Sequence, residues 1–224
     1  MKQKMRASSR YDNKYDLEQQ ATLLFEEDEI PLNPQEWQQL GELLEKSEYD
    51  HIIGGDANES HSVWVSRYFN DVDSPEALNV LSSDIEAIIM SPKMRGFYQQ
   101  FTGTKKLCLR RCQANRLQKG DFIGEHKDQD SSPDYFATIV FHFSENYSGG
   151  YFQTSGSTGA DSQQLQRYKP RARMALVNNC SVPHQVTTIE QGERLTLACF
   201  LSTSFSSNKT MPAAFKINRH YDEA

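Results

Sequence analysis

The chain has 224 residues, a formal charge of -6, 37% hydrophobic residues and 11% aromatic ones. This length accommodates one hydrophobic core, or at most two small ones, and the aromatic content favours a β-rich globular protein over a disordered one. The acidic balance argues against nonspecific binding to nucleic acid or to an anionic membrane, because both require a basic surface.

The cysteines and the start of the chain indicate a compartment. Four cysteines lie in apolar or strand-like surroundings without CxxC spacing: Cys108, Cys112, Cys180 and Cys199. We expect them to be reduced and buried. The chain opens with a charged, polar stretch and contains no run of 18 apolar residues, so we expect neither a signal peptide nor a membrane span. A cytoplasmic protein is therefore the expectation.

The first half of the chain predicts helices separated by irregular stretches. Residues 1–20 form a polar lead-in, and 21–25 is a candidate strand. A residue that caps helices precedes proline three times, and each pair predicts a helix start: Asn33-Pro34, Ser74-Pro75 and Ser91-Pro92. The irregular stretch 49–73 predicts a loop with one short strand.

From residue 105 onward the pattern changes to successive strands. Candidate strands occupy 106–117, 135–143, 173–177, 184–189 and 194–202. Helices followed by many short strands predict a closed or sandwiched antiparallel sheet with helices packed outside. We expect a single domain over 21–224, which divides into a helical part (21–104), a β core (105–205) and a C-terminal tail (206–224).

A histidine and an aspartate two residues apart, His126 and Asp128, give the first chemical signal. In an extended chain, residues i and i+2 point to the same face, so an imidazole and a carboxylate project side by side. His184 follows Pro183 and opens a later candidate strand, which makes it the obvious third member. Two histidines and one carboxylate suit non-haem Fe(II), because three coordination positions stay open. An HxD pair alone also arises by chance, and a single histidine is more often a surface or core residue.

The second signal is Arg194, ten residues beyond His184 at the start of a strongly apolar strand. If this arginine faces inward it needs an anionic partner, and its planar guanidinium pairs bidentately with a carboxylate. A dicarboxylate cosubstrate would supply that carboxylate. The alternatives are a solvated strand end, or an ion pair with Glu190 or Glu193.

Several motifs in order resemble the prolyl-4-hydroxylase-like branch of the Fe(II)- and 2-oxoglutarate-dependent dioxygenases. They read HKD, TIVFHFS, SGGYF, YKPRARMALVNNCSVPHQV and GERLTLACFLS, and they span 107–203. The resemblance implies an α+β or mainly β protein with a double-stranded β-helix (jelly-roll) core and N-terminal helices outside it. It also implies Fe(II), 2-oxoglutarate and O2, with His126, Asp128 and His184 as metal ligands and Arg194 bound to the distal carboxylate of 2-oxoglutarate. No catalytic residue beyond the metal ligands is implied.

Two positions depart from the family pattern. Relatives often carry a tyrosine ten residues before the metal-binding histidine, where this chain has Arg116, and a second tyrosine where it has His142. We expect His142 to face the barrel interior with Thr138 and Val140, within reach of the cosubstrate. A core histidine bonded to a backbone carbonyl is the alternative.

Four residues are candidates for binding the substrate. Asn115 and Arg116 are neighbours and point to opposite faces of a strand, so only one of them lines the pocket. We favour Arg116; a bulge or a shift of one residue would give the role to Asn115. Trp64 and Arg67 could belong to a lid over the substrate, or the aromatic residues around them could pack the helices against the sheet.

We therefore expect an enzyme that hydroxylates an unactivated C–H bond of a small, amino-acid-like metabolite and releases succinate and CO2. Hydroxylation of a residue within a protein or peptide is the close alternative. A cupin-like metal-binding protein without oxygenase activity would use the same barrel and histidines but would not need Arg194. A scaffold that has lost catalysis is the remaining hypothesis, and the sequence predicts no oligomeric state.

Overall fold

A computed structural model describes residues 15–55, 59–70, 80–154 and 165–203. The predicted helix start at Ser74-Pro75 and the predicted tail (206–224) lie outside these residues. No helix within the described ranges is long and apolar enough to cross a membrane.

Two helices begin at the predicted prolines, Pro34 and Pro92. In the described residues the helices are α1 (Leu17–Gln20), α2 (Pro34–Glu45), α3 (Ser82–Ile89), α4 (Pro92–Thr102) and α5 (Asp128–Ser131), with a short 3-10 helix at Glu27–Glu29. The Asn33 side chain accepts a 2.9 Å hydrogen bond from the backbone N–H of Glu36, whose carboxylate accepts one from the backbone of Asn33 in return. This capping box fixes the first turn of α2, as its sequence predicts.

The strands account for most of the described chain beyond residue 105. They are β1 (Thr22–Phe25), β2 (Asp50–Ile53), β3 (His61–Phe69), β4 (Cys108–Leu117), β5 (Phe122–His126), β6 (Ala137–His142), β7 (Tyr147–Gly149), β8 (Phe152–Thr154), β9 (Gln166–Tyr168), β10 (Ala175–Asn179), β11 (His184–Val186), β12 (Ile189–Gly192) and β13 (Arg194–Ser202).

The sheet is antiparallel throughout the described residues and follows the order β1-β10-β6-β13-β4-β3-β5-β11-β8-β9, with β2 added beside β3 and a separate β7-β12 pair. The half around β4 and β13 has long strands, and the half around β5, β8 and β11 has short ones. β13 and β4 pair from Arg194↔Leu117 to Ser202↔Cys108, whereas β11 is only three residues long where it pairs with β5 and β8. This architecture is the predicted double-stranded β-helix.

Side chains of the long strands alternate between two environments. Leu195, Leu197, Cys199 and Leu201 of β13 pack in the main hydrophobic core with the helices. The intervening residues of the strand line an interior cavity. All nine residues of β13 are buried because both of its faces are covered, which explains its nearly continuous apolar sequence.

Three features differ from the sequence-based predictions. The stretch 49–73, predicted as a loop with one short strand, contains β2 and the nine-residue β3, which pairs with β4. With β1, these strands place sheet within the part predicted to be helical (21–104). The candidate strand 184–189 is instead two strands, β11 and β12, which pair with different neighbours.

Residues 15–20, at the end of the predicted polar lead-in, also join the fold, because Leu17 is buried in the main core. All four cysteines are free and buried, as predicted.

Gly149 and Gly150 have positive φ angles of 71° and 63°. A Cβ atom on Gly149 would lie 2.1 Å from the carbonyl oxygen of Thr188, so only glycine fits there. The register shifts between Ile189 and Gln191 on the partner strand. The Gly-Gly pair is therefore a backbone feature, as expected from the sequence.

Candidate metal centre

Three potential metal ligands converge at one end of the short-stranded half. His126 ends β5, and its cross-strand partner His184 begins β11. Asp128 begins α5 two residues after His126, and its Oδ1 lies 3.5 Å from Nε2 of each histidine. One ligand atom from each residue lies within 4.8 Å of the others. The predicted set of His126, Asp128 and His184 is thus brought together.

Backbone carbonyl groups orient both imidazoles. Nδ1 of His126 lies 2.9 Å from the carbonyl oxygen of Gly124, and Nδ1 of His184 lies 3.0 Å from that of Val182. A proton on each Nδ1 satisfies these contacts and leaves each Nε2 lone pair directed toward Asp128. Such an outer hydrogen bond is the usual partner of a metal-binding histidine.

The carboxylate of Asp128 is buried, with 4% exposure. Thr138 donates a 2.6 Å hydrogen bond to its Oδ2, which leaves Oδ1 facing the histidines. Burial raises the pKa of Asp128, but the two imidazoles outweigh it and hold that pKa well below its usual range. Burial likewise opposes the charged form of His126, yet Asp128 raises the pKa of His126 overall. A buried carboxylate that draws positive charge onto adjacent imidazoles fits a divalent cation at this position.

The ligands face a cavity inside the barrel. Its opposite wall consists of the inward residues of β3, β4, β6 and β13, and Phe152 and Val186 close it beside the histidines. Thr138 joins wall and ligands, since it lines the cavity on β6 and also binds Asp128. The cavity therefore gives a metal bound at these ligands a partly enclosed environment lined by both apolar and polar side chains.

Arg194 lies in this wall at the start of β13 and is 2% exposed. Its Nε has no hydrogen-bond partner among the described residues, although Tyr147 interacts with the guanidinium. Burial lowers the pKa of Arg194 and Tyr147 partly counteracts it. Glu193, one of its alternative partners from the sequence, lies 3.5 Å from Nε of Arg116. A buried guanidinium that pairs with no carboxylate in the described ranges fits the far end of a dicarboxylate.

His142 lies beside this arginine and is 1% exposed. It is opposite Thr196 on β13, on the same face of β6 as Thr138 and Val140. Its Nε2 has no hydrogen-bond partner in the described part of the chain. Burial and the positive charge of Arg194 lower the pKa of His142 well below its ordinary value, so this imidazole is neutral. A neutral imidazole with an unused nitrogen is suited to a hydrogen bond with a bound ligand.

Two of the predicted substrate residues do not line the cavity. Arg116 is on the outer face of β4, where its guanidinium lies 2.6 Å from Glu45 and 4.5 Å from the ring centroid of Tyr49. Trp64, opposite Arg116 on β3, stacks on His51 with a centroid distance of 4.6 Å. The structure thus contradicts the expectation that Arg116 faces the pocket, and Trp64, a possible lid residue, is not among the residues that line the cavity.

The alternative residue on β4 does line the cavity. Asn115 faces inward, as does Arg67 on β3. The segment 62–69 forms part of the barrel wall and not a separate lid, since it pairs with β4.

Sequence analysis placed Thr138 in the barrel interior but missed its hydrogen bond to Asp128, and it did not identify Arg111 and Gln113 of β4 as wall residues. The alternation of Arg111, Gln113 and Asn115 with Cys112 and Ala114 is the signal that could have identified a polar inner face on this strand.

Comparisons with known proteins agree with this geometry. A family model described as the 2OG-Fe(II) oxygenase superfamily matches residues 112–202, which contain all three ligands and Arg194. Among curated proteins no match was found.

Three solved structures share the fold. A 2OG-Fe(II) oxygenase family oxidoreductase from Burkholderia pseudomallei is 25% identical, with a TM-score of 0.72 over 84% of this chain and 88% of that one. A Pseudomonas putida prolyl-4-hydroxylase is 16% identical, with a TM-score of 0.59 over 84% and 96%. HygX from Streptomyces hygroscopicus, with nickel and 2-oxoglutarate bound, is 12% identical, with a TM-score of 0.60 over 84% and 85%.

Motifs, fold, ligand geometry and the family match thus agree: residues 112–202, which carry the three metal ligands and Arg194, match the 2OG-Fe(II) oxygenase superfamily, whose members use Fe(II), 2-oxoglutarate and O2.

Proposed function

We propose that the protein hydroxylates an unactivated C–H bond of a small, amino-acid-like metabolite, with 2-oxoglutarate as cosubstrate. One observation carries this proposal: the open side of the His126, Asp128 and His184 cluster faces a cavity whose wall also contains Arg194, which is buried and pairs with no carboxylate of the described residues. This arrangement supports a metal site and a dicarboxylate site that share one cavity.

His126, Asp128 and His184 would hold Fe(II), and Arg194 would bind the distal carboxylate of 2-oxoglutarate. When bound, these groups supply the oxidation of a C–H bond by dioxygen, with release of succinate and CO2. The chain's own contribution is positional. Gly124 and Val182 fix the imidazoles, Thr138 fixes the carboxylate, and the guanidinium orients the cosubstrate.

His142 would support the cosubstrate beside Arg194. Its lowered pKa keeps it uncharged, so it does not repel the neighbouring guanidinium, and its unused Nε2 is available to a ligand. The apolar residues Val63, Val65 and Val186 exclude water from the space between this end and the metal ligands. Both features favour a bound dicarboxylate held in one orientation.

The preference for a small substrate over a peptide rests on the wall formed by β3. This strand pairs with β4 along most of its length and places Val63, Val65 and Arg67 in the cavity, so the space is bounded on that side. A peptide substrate is the second candidate. The likeness in fold to a Pseudomonas putida prolyl-4-hydroxylase favours it.

The test has two stages. Addition of 2-oxoglutarate to the anaerobic Fe(II) protein should produce the visible charge-transfer band of a chelated 2-oxo acid. Succinate release under air should then be stimulated by free amino acids and not by peptides that contain the same residues internally. Absence of the band would exclude this function, and stimulation by peptides alone would select the second candidate.

A further inference from the structure

Two polar side chains of the cavity wall are neighbours on adjacent strands. Arg67 on β3 is directly opposite Gln113 on β4, and both line the cavity. The Cβ atoms of two residues paired in this way lie about 4.5–5.5 Å apart, so both side chains reach one small group of a ligand. Binding of the metal and of the distal carboxylate of 2-oxoglutarate, as proposed above, uses neither of them.

Each side chain of this Arg67–Gln113 pair has a buried polar atom without a partner. The Nε–H donor of Arg67 and the Oε1 acceptor of Gln113 make no hydrogen bond with any residue in the described part of the chain. Buried donors and acceptors are costly to leave unpaired. The wall thus offers one N–H and one carbonyl oxygen to a ligand.

Asn115, the next inward residue of β4, uses the other end of the Gln113 amide. Nε2 of Gln113 donates a 2.8 Å hydrogen bond to Oδ1 of Asn115. Two amides joined by one N–H···O bond still have one carbonyl oxygen without a donor, even if both amides turn over together. The dianion of 2-oxoglutarate has only acceptors, so the substrate is the ligand that supplies the missing donor.

The Arg67–Gln113 pair lies between the two ends of the cavity. Gln113 is opposite Ala198 on β13, and Ala198 is opposite Val140 on β6. Along β6, Thr138, which binds the carboxylate of the metal site, is two residues to one side of Val140, and His142 is two residues to the other. Each of these steps along a strand is about 7 Å. A substrate group bound by the pair would therefore lie beside the cosubstrate and in the same space as the metal.

The two free atoms discriminate among the polar groups of small metabolites. A carboxylate accepts from Arg67 but brings only acceptors to Oε1 of Gln113, and an ammonium donates to Oε1 but is repelled by the guanidinium. A hydroxyl has one oxygen for both bonds, whereas the pair holds its donor and its acceptor on two strands. A primary carboxamide presents its C=O and one N–H on the same edge of a planar group, and so satisfies both atoms. The N–H and C=O of a trans peptide bond point in opposite directions.

We propose that the substrate carries a primary carboxamide, whose C=O accepts from Nε of Arg67 and whose N–H donates to Oε1 of Gln113. Binding by this pair orients a neighbouring C–H bond toward the metal ligands. This inference rests on the proposed function and adds the substrate class and the residues that select it.

The first experiment measures affinity by isothermal titration calorimetry in the anaerobic wild-type protein loaded with Fe(II) and 2-oxoglutarate. The probes are L-asparagine and L-glutamine, the acids L-aspartate and L-glutamate, and L-homoserine as a hydroxyl analogue. At least one amide should bind with a Kd about 10- to 100-fold lower than that of its acid, because the acid leaves Oε1 of Gln113 without a donor. That amide should also stimulate succinate release under air. Equal or tighter binding of the acid, binding of homoserine alone, or no binding of either amide would overturn the proposal.

The second experiment compares Gln113→Leu with Gln118→Leu. Leucine is similar in size to glutamine but offers no acceptor. Gln118 is the matched control because it directly follows β4 but does not line the cavity, and its Nε2 donates to Glu193. Gln113→Leu should raise the Kd of the amide about 10- to 100-fold and change that of the acid little, so that discrimination between them disappears. The control should keep the discrimination, and full discrimination in Gln113→Leu would overturn the proposal.

Arg67→Met tests the other half of the pair. Arg116→Met is its matched control, because Arg116 is on the outer face of β4 and contacts Glu45. Loss of the Arg67 donor should raise the Kd of the amide about 10- to 100-fold, while the control keeps the wild-type value. Because Arg67 is only half-buried, this variant provides the test even if Gln113→Leu is unstable. An unchanged Kd in Arg67→Met would overturn the proposal.

Two further measurements keep the outcomes distinct. Thermal unfolding shows whether each variant folds, and titration of the charge-transfer band shows whether it binds 2-oxoglutarate with wild-type affinity. A merely structural role of Gln113 or Arg67 would change these two quantities as well as the affinity for the amide. Absence of the band in the wild-type protein rejects the proposed function, whereas its presence with equal affinity for amide and acid rejects only the carboxamide.

Discussion

The hydroxyl of Thr138 donates a 2.6 Å hydrogen bond to Oδ2 of Asp128, while Oδ1 of the same carboxylate faces both histidines. Thr138 is on β6 and Asp128 begins α5, so this bond fixes the ligand against a strand of the long-stranded half. The carboxylate is thereby held in one orientation, with one oxygen directed toward a metal bound between the histidines.

Thr138→Val should weaken Fe(II) binding about 10- to 100-fold, the usual effect of removing a hydrogen bond behind a metal ligand. Valine keeps the shape of threonine but cannot donate. Fe(II) titration under anaerobic conditions measures the change, and Thr138→Ser is the control that keeps the hydroxyl. Equal affinity in the valine and wild-type proteins would show that the bond does not orient Asp128.

Arg194→Ala should raise the Kd of 2-oxoglutarate about 100-fold or more while Fe(II) still binds, because the variant removes the buried charge that matches the distal carboxylate. Titration of the charge-transfer band measures this Kd. The Kd of Arg194→Lys should lie between those of the wild-type protein and Arg194→Ala, since lysine keeps the charge but lacks the planar guanidinium. Unchanged affinity and turnover in Arg194→Ala would favour a cupin-like metal-binding protein.

His142 should make the metal-free, cosubstrate-free protein sensitive to mild acid. Its pKa is held well below the ordinary 6.5 by burial and by Arg194, so the unfolded chain takes up a proton below pH 6.5 that the folded protein does not. Stability is therefore fully present above this pH and falls as the pH drops through it.

The loss attributable to His142 reaches about 1.4 kcal/mol between roughly pH 7.5 and 5.5. In His142→Phe this part of the pH dependence should disappear. Denaturant unfolding of both proteins at the two pH values measures the difference. The same acid-induced loss in wild type and variant would contradict a neutral, buried His142.

Gly149→Ala should lower the free energy of unfolding by at least about 1–2 kcal/mol, because an alanine at positive φ is strained and its Cβ would meet the carbonyl oxygen of Thr188. Gly96 in α4 is the matched control, since a Cβ there has nothing within 4 Å. Gly96→Ala should raise stability by about 0.5–1 kcal/mol. Denaturant unfolding midpoints measure both, and a neutral Gly149→Ala would mean that the backbone can adjust.

Local sequence signals were sufficient for several elements. Asn33 and Pro34 predict the start of α2, and the apolar run after Arg194 predicts β13. The HxD pair and His184 predict the metal site, because the extended residue Lys127 places His126 and Asp128 on one side, even though Asp128 begins α5 and does not continue the strand. These features depend on a few residues in sequence and on ordinary capping and strand geometry.

Other features depend on contacts between distant segments. Polar and apolar residues are mixed along β3, and this segment is a strand because it pairs with β4. Alternation along β4 groups Arg111, Gln113 and Asn115 on one face, but alternation alone does not say which face points into the barrel. That choice is determined by the register with β13, in which Thr196 is opposite Asn115.

The unequal lengths of the two barrel halves have a thermodynamic consequence. His126 and His184 are on strands that share few backbone hydrogen bonds with their neighbours, whereas Arg194 is on the longest continuous ladder of the described chain. Coordination of an ion would link β5, β11 and the first turn of α5. Because these short strands share few backbone hydrogen bonds, the bound ion would stabilise the folded state there. Arg194 thus lies on a long hydrogen-bonded ladder before any ligand binds, whereas we expect the edge that carries His126 and His184 to become more stable when the cation binds.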